Sequence, residues 1–409
     1  MKKIIAALGI VAVAGLSLAG CSGSSGDAGG KVELTFQNQF SDSESAEMKT
    51  LAAEYEKDNP NVTIKLVRDN DASYYDKLVT QISAGKGPDI VRLEPPKVAQ
   101  YAASGFLAPI DDALDSRSAY FDNTLDAATR DGHVYGLPQD VSTLALYYRK
   151  DMFTAAGIEA PPTTWDELKA DAKKLSGDGK YGIGLFGGWG AYEFYPWLWQ
   201  SGADVLNSKG DKAAFASDEG VSALQLWSDL QKTSMPPGMA SATEDDVRGP
   251  FTNGTVAMFT SGPYMTSTLK SAGLTDEQFG VAPLPAGKKS ASVLGGMDLS
   301  VLKNSKHQSE ATAFLKWFGS DAVQTKWAQK LGFVPAKKSL YDSKAFASDP
   351  TVATFGKIID ASRSRPTVAR AADVDTALGN AVTAGLSGES TPSEAMKQAA
   401  QKADEALNG

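Results

Sequence analysis

Residues 31–68, KVELTFQNQFSDSESAEMKTLAAEYEKDNPNVTIKLVR, change hydrophobic period twice. Val32, Leu34 and Phe36 alternate with polar residues, the two-residue period of a half-buried strand. Behind Ser41-x-x-Glu44, a capping box, Met48, Leu51, Ala52 and Tyr55 recur at helical spacing until Asn59-Pro60 stops the run. Val62, Ile64 and Leu66 then alternate again. Downstream, Leu78, Val79 and Ile82 follow a helical period to Gly85, and Pro88 leads into Asp89-Ile90-Val91. The order is βαβαβ, which builds a parallel sheet with right-handed crossovers. The same grammar continues past His133. A Thr164-x-x-Glu167 box opens a helix with Trp165, Leu168, Ala172 and Leu175, closed by Gly177, and further helices are predicted over Ser309–Phe318 and Asp321–Leu331. There is no internal repeat.

Working outward to the N-terminus, Lys2 and Lys3 precede an apolar run from Ile4 that ends at Leu18-Ala19-Gly20-Cys21. A basic start, an apolar segment too short to span a bilayer and a small-residue cleavage site make residues 1–20 a secretory signal. Cys21 looks like the invariant cysteine of a bacterial lipobox, the residue left at the new N-terminus for diacylglyceryl attachment; the other reading is an ordinary signal with an incidental cysteine. It is the only cysteine of the chain, so the exported body folds without an internal disulfide. Residues 21–30, Ser- and Gly-rich, read as a flexible tether. No later apolar run has membrane-spanning length, which leaves the lipid as the membrane attachment.

The remaining body, about 380 residues, exceeds one small core and suits two domains. The formal charge of −9 becomes −11 once the two leader lysines are cut away, with acids and bases well mixed. That balance argues against nucleic acid and against polybasic contact with anionic lipid.

Several chemistries fail on the residues. Gly182-Ile183-Gly184-Leu185-Phe186-Gly187, with Asp204 beyond, matches a dinucleotide fingerprint only in letters. A helix precedes it, and the alternating Ile183 and Leu185 make its glycines part of a strand. There is no Walker loop or nucleophile elbow, and the only two histidines, His133 and His307, stand in unrelated contexts, against zinc sites and Ser-His-Asp triads. No cofactor or metal is expected. A carboxylate-pair glycosidase survives the count, because 49 acids offer many pairs.

The strongest positive feature is Trp189, Tyr192, Phe194, Tyr195, Trp197 and Trp199, following Gly187-Gly188 and holding three of the seven tryptophans. Aromatic faces suit the C–H faces of sugar rings. Phe194, Trp197 and Trp199 are expected in the core; Trp189 and Tyr192, nearer the glycines, are expected at a ligand.

With these features in place, the sequence resembles the solute-binding lipoproteins of ABC sugar importers, in the maltose-binding-protein-like superfamily (bacterial solute-binding protein family 1). The likeness is carried by Gly87-Pro88-Asp89-Ile90, Gly105-Phe106-Leu107-Ala108-Pro109-Ile110, Gly136-Leu137-Pro138, Leu146-Tyr147-Tyr148-Arg149-Lys150-Asp151, Pro162-Thr163-Thr164-Trp165-Asp166-Glu167, Phe251-Thr252-Asn253-Gly254, Ser261-Gly262-Pro263-Tyr264, Pro283-Leu284-Pro285, Gly295-Gly296 and Gly332-Phe333-Val334-Pro335. The resemblance implies an α/β, two-lobed periplasmic-binding-protein-like fold. Each lobe is a mostly parallel sheet flanked by helices, with the ligand cleft between lobes. Residues 31–141 with 297–344 would form the N-terminal lobe and 143–294 with 345–409 the C-terminal lobe, with crossings near Asp140–Leu144 and Val293–Asp298.

Ligand residues implied by motif position are Gln39, Phe40 and Asp42 after the first strand, Glu94 before Pro95-Pro96, and Gln139 and Asp140 at the first crossing. Trp189 and Tyr192 follow, then Tyr264 ending Gly-Pro-Tyr, then Gly296, Met297 and Asp298 at the second crossing, and Arg365. Asp42 serves equally as a helix cap, Gln139 and Asp140 as backbone caps, and Arg365 as a surface arginine paired with Asp360 or Asp373. The region around Asp373-Val374-Asp375 lacks the stacking tryptophan of maltose binders, against a long malto-oligosaccharide. The implied function is capture of a carbohydrate by a monomer anchored through lipid to the outer face of the bacterial cell membrane, for delivery to the transmembrane subunits of an ABC permease. A non-sugar solute, a lipid-anchored glycosidase and a surface adhesin are the alternatives.

Overall fold

The computed structural model describes residues 30–71 and 73–409. The signal, Cys21 and the tether up to residue 29 lie outside the described residues. Among the described residues no helix is long and apolar enough to cross a membrane.

The strands in chain order are β1 (Val32–Asn38), β2 (Val62–Arg68), β3 (Ile90–Leu93), β4 (Thr129–Arg130), β5 (His133–Val134), β6 (Leu137–Thr143), β7 (Ala145–Arg149), β8 (Met258–Ser261), β9 (Phe279–Ala282) and β10 (Leu294–Val301). A five-stranded sheet runs β2-β1-β3-β10-β6 and a three-stranded sheet β8-β7-β9, with β4 and β5 a separate hairpin. β1 is parallel to both β2 and β3, as the βαβαβ reading requires. β10 is antiparallel to β3 and to β6, so β6 runs with β1–β3 and only β10 is reversed. In the smaller sheet β7 alone opposes β8 and β9. Each sheet therefore holds one reversed strand, and that strand is the one that arrives from the other sheet.

Three apolar cores form among the described residues, the smallest built on Tyr74, Leu78, Val91, Leu93 and Val98. Leu34, Phe36, Met48, Leu51 and Ile90 pack with Phe314, Phe318 and Trp327 beside the first sheet. Tyr147, Phe259, Phe194, Trp197, Trp199 and Trp227 fill the second, where Phe194, Trp197 and Trp199 are buried as their position predicted. Ser41 caps the helix Asp42–Asp58 with a full capping box to Glu44, and Thr164 does the same with Glu167 for Trp165–Lys174.

The chain passes between the sheets at Leu144 and again at Ser292–Val293, and the segment around Arg363 lies beside both crossings. Leu144 alone separates β6 from β7. Ser292 and Val293 lead into β10, and Arg363 pairs with Val293 through Leu294 N–H to Arg363 O (2.8 Å) and Arg363 N–H to Ser292 O (3.0 Å). The side chains knit the three together: buried Thr143 Oγ1 donates to Ser292 Oγ at 2.8 Å and lies 2.8 Å from Ser362 Oγ, while Ser292 Oγ donates to Leu144 O at 2.8 Å. A Thr143→Val chain, equal in shape, loses both hydroxyl contacts. Its urea-unfolding free energy should fall by about 1–3 kcal/mol, and an unchanged midpoint would show that the cluster carries no stability.

Candidate functional site

The carboxyl ends of β1 and β3 face the lobe of the three-stranded sheet, and a cleft opens where ligands of α/β sheets sit. A cavity of about 360 Å³ lies there, lined by Glu94, Ser142, Leu144, Trp189, Tyr192, Gly262, Tyr264, Gly295, Gly296, Met297 and Arg365. Seven of the residues expected from sequence meet in it: Glu94, Trp189, Tyr192, Tyr264, Gly296, Met297 and Arg365.

Each wall has a local cause. Glu94 is the N-cap of the helix Pro95–Ala103, placed by the end of β3. Trp189 is 40% exposed, beside Gly190 at φ +66°, and its ring meets Phe186 edge-on at 5.2 Å. Tyr264 turns into the helix Met265–Ser271, and its hydroxyl donates to Glu244, 2.9 Å from Oε1 and 3.1 Å from Oε2. Gly296 holds φ +111°, and a Cβ there would lie 2.4 Å from the Asp140 carbonyl oxygen, so the irregular β10–β6 register needs glycine at this point.

One ion pair closes the cavity from both sides. Arg365 Nη2 donates to Glu94 Oε2 at 2.5 Å, although 271 residues separate them. The guanidinium also stands 5.3 Å from the Tyr192 ring centroid and 3.9 Å from Asp375 Oδ2. Its partners are Glu94 and Asp375, whereas Asp360 pairs with Lys338 and Asp373 with Arg370. Burial pushes the Glu94 carboxyl up, but the Arg365 charge and hydrogen bond outweigh it and hold Glu94 below its usual range. Burial and the adjacent Glu244 push the Tyr264 hydroxyl well up, so it stays a donor.

The other expected residues lie elsewhere. Phe40 is fully buried, edge-on to Phe36 at 5.5 Å. Gln139, equally buried, accepts from Arg92 Nε at 2.8 Å. Asp42 is neither the helix cap, which is Ser41, nor in this cavity; its exposed carboxylate pairs with Arg68 at 2.5 Å. Gln39 and Asp298 line neither this cavity nor its neighbour. Asp140 borders that neighbouring cavity, where Arg92 Nη2 lies 2.6 Å from Glu44 Oε1 and 3.3 Å from Asp140 Oδ2. Arg92, Glu44, Ser142 and Glu244 were not singled out from the sequence. The one available signal is Arg92, a charge inside the otherwise apolar Ile90–Leu93 strand; Glu44 reads as a capping residue, and it serves both roles.

Two α/β lobes around a cleft with aromatic walls and a cross-cleft ion pair are the architecture of a solute-binding protein. The chain belongs to the bacterial extracellular solute-binding protein family, whose model matches residues 41–325. It is similar to a Brucella abortus protein described only as a binding protein, with 29% identity over 405 residues and 97% of each chain covered. The maltodextrin-binding protein of Bacillus subtilis is 27% identical over 349 residues, covering 78% of each. Among solved structures, the GacH receptor of Streptomyces glaucescens, studied unliganded and with acarbose, superposes with a TM-score of 0.84 at 30% identity, covering 92% of this chain and 99% of that one. The fold is the two-lobed form of sugar-binding proteins of ABC transporters, and the family and these relatives are binding proteins rather than enzymes.

Burial, opposed by Arg92 and reinforced by Glu44, raises Asp140 to about 6. An unfolded aspartate releases its proton near pH 3.9, so between these values the folded chain holds more protons and this group's contribution to stability falls as pH rises from about 4 to about 6. Comparing urea unfolding of wild type and Asp140→Asn across this interval should show the wild-type advantage shrinking as pH rises. A pH-independent difference would contradict the assignment.

Proposed function

We propose that this chain is the lipid-anchored substrate-binding protein of an ABC importer, capturing a carbohydrate between its lobes and handing it to the transmembrane subunits of a permease. The observation that carries the reading is the cleft cavity: Trp189, Tyr192 and Tyr264 offer ring faces, while Glu94 and Arg365 offer paired hydrogen-bonding groups from opposite lobes. Sugars present that combination, apolar C–H faces edged by hydroxyls. The relative that binds maltodextrin and the neighbour solved with acarbose support the same ligand class.

In this reading Glu94, Trp189, Tyr192, Tyr264, Gly296, Met297 and Arg365 touch ligand, Asp140 extends the site, and Phe40 and Gln139 hold Arg92 from beneath. The lobes comprise 31–141 with 297–344 and 143–294 with 345–409. Ligand selects the shut state through contacts with both. The two arginines at the cleft are already neutralised by carboxylates, Arg365 by Glu94 and Arg92 by Glu44, which favours a neutral cargo over an anionic one. Cleavage of residues 1–20 leaves Cys21 to carry the lipid and residues 21–30 as the tether, on the outer face of the membrane. The protein works as a monomer and catalyses no reaction.

Calorimetric titration with a panel of neutral mono- and oligosaccharides tests this. Saturable binding of one class, recovered uncleaved, is the expected result, and Tyr264→Ala should weaken it by about 1–3 kcal/mol, roughly 5- to 150-fold. A folded protein silent across the panel would point to another solute, and turnover of any member would make it a glycosidase.

A further inference from the structure

We infer that Glu244, which lines neither cavity itself, is a positioning residue for the ligand: its carboxylate clasps both ends of the turn Ser261-Gly262-Pro263-Tyr264 and so sets where the Tyr264 ring stands in the cleft. This rests on the reading above that Tyr264 touches a sugar. Glu244 is buried and is the first residue of the helix Glu244–Thr252. Ser261 Oγ donates to its Oε1, and the Tyr264 hydroxyl donates at 2.9 Å to Oε1 and 3.1 Å to Oε2. Ser261 ends β8 and Tyr264 precedes the helix Met265–Ser271, so only Gly262 and Pro263 separate the two donors. A carboxylate accepts at both oxygens and therefore serves two hydroxyl donors at once.

The clasp is built on tied-down parts. The helix that carries Glu244 is held at its start by Thr243, whose backbone N–H donates to Asp246 Oδ2 at 2.8 Å. At its end, buried Arg149 Nη1 donates to Phe251 O at 2.8 Å and Thr252 O at 3.1 Å. On the strand side, Thr260 Oγ1 donates to the buried Glu193 Oε2 at 2.6 Å, and the Tyr147 hydroxyl donates to Gly262 O at 2.8 Å. Gly262 lets the ring in, since a Cβ there would lie 2.6 Å from Tyr264 Cε1. The ring is thus stopped on one side by bare backbone and tethered at its far end by Glu244. Stability alone does not ask for this carboxyl, because burying an acid is costly without a cation, and the arginine one turn on, Arg248, pairs instead with Asp245 at 2.8 Å. What the arrangement secures is a ring already in place before ligand arrives, which gives up little rotamer freedom on binding.

The test is a double-mutant cycle read by calorimetric titration with glucose, maltose, maltotriose and galactobiose, with thermal unfolding of each variant alongside. For a sugar that binds wild type, Tyr264→Phe, which keeps the ring, and Glu244→Leu should each weaken affinity by about three- to tenfold. The double variant should be weaker than either single one by no more than about twofold, because both changes remove the same bond. Glu244→Gln keeps an oxygen that accepts from the phenol and should recover most of the loss. A Glu244 with a merely structural role would lower the unfolding temperature of Glu244→Leu and leave affinity unchanged. That result, losses that add in the double variant, or wild-type affinity in Tyr264→Phe would overturn this inference and leave the carbohydrate reading standing. If Glu244→Leu does not fold, Tyr264→Phe decides, since it removes the bond from the other end. No binding of any of the four sugars by the folded wild type would overturn both.

Discussion

The architecture depends on one constraint: a single extended stretch, β6 through Leu144 into β7, belongs to both sheets. Because that stretch enters the smaller sheet from the larger one, β7 is reversed there, and β10 is reversed on its return for the same reason. Thr143, Ser292 and Ser362 tie the two crossings and the segment beside them together, which makes this seam the axis about which the proposed reading has the lobes rotate. The seam lies at the carboxyl ends of the parallel strands, and the cleft forms beside it. Gly295, Gly296 and Met297 line the cavity because they belong to the returning strand.

Electrostatics sets what the cleft accepts. Removing an arginine from water is costly unless carboxylates face it, and the two arginines at the cleft satisfy that rule, with Arg92 on Glu44 and Asp140 and Arg365 on Glu94 and Asp375. The two clusters differ in their relation to the lobes. Glu44, Arg92 and Asp140 all come from the lobe of the larger sheet, whereas Glu94 and Arg365 come from opposite sides of the cleft. In the proposed opening of the lobes the second pair would separate and the first stay intact. A ligand that bridges Glu94 and Arg365 would supply hydrogen bonds to both at the moment of closure, which ties binding to lobe rotation.

Much of this was legible in the residues. The alternation at Val32–Phe36 and Val62–Leu66, with the helix between them, fixes β1 parallel to β2, and the split of the aromatic segment into a buried Phe194, Trp197 and Trp199 and an exposed Trp189 follows from distance to Gly187-Gly188. Motif positions carried Glu94, Tyr264 and Arg365 to the cleft. Their pairings were not legible, because a strand's period says which face a side chain takes and nothing about partners hundreds of residues away. Asp42 shows the opposite failure: one position along a helix's first turn separates the cap, Ser41, from a solvent-facing carboxylate. Glu244 gave no signal at all, since its role exists only where its helix meets Tyr264 and Ser261.

The most direct measurement of the central claim, capture between rotating lobes, is small-angle X-ray scattering of the chain with and without a saturating sugar from the class it binds. The account predicts a smaller radius of gyration and a shorter maximum dimension in the bound state. Identical scattering curves at confirmed saturation would contradict it, placing the ligand on one lobe rather than between two.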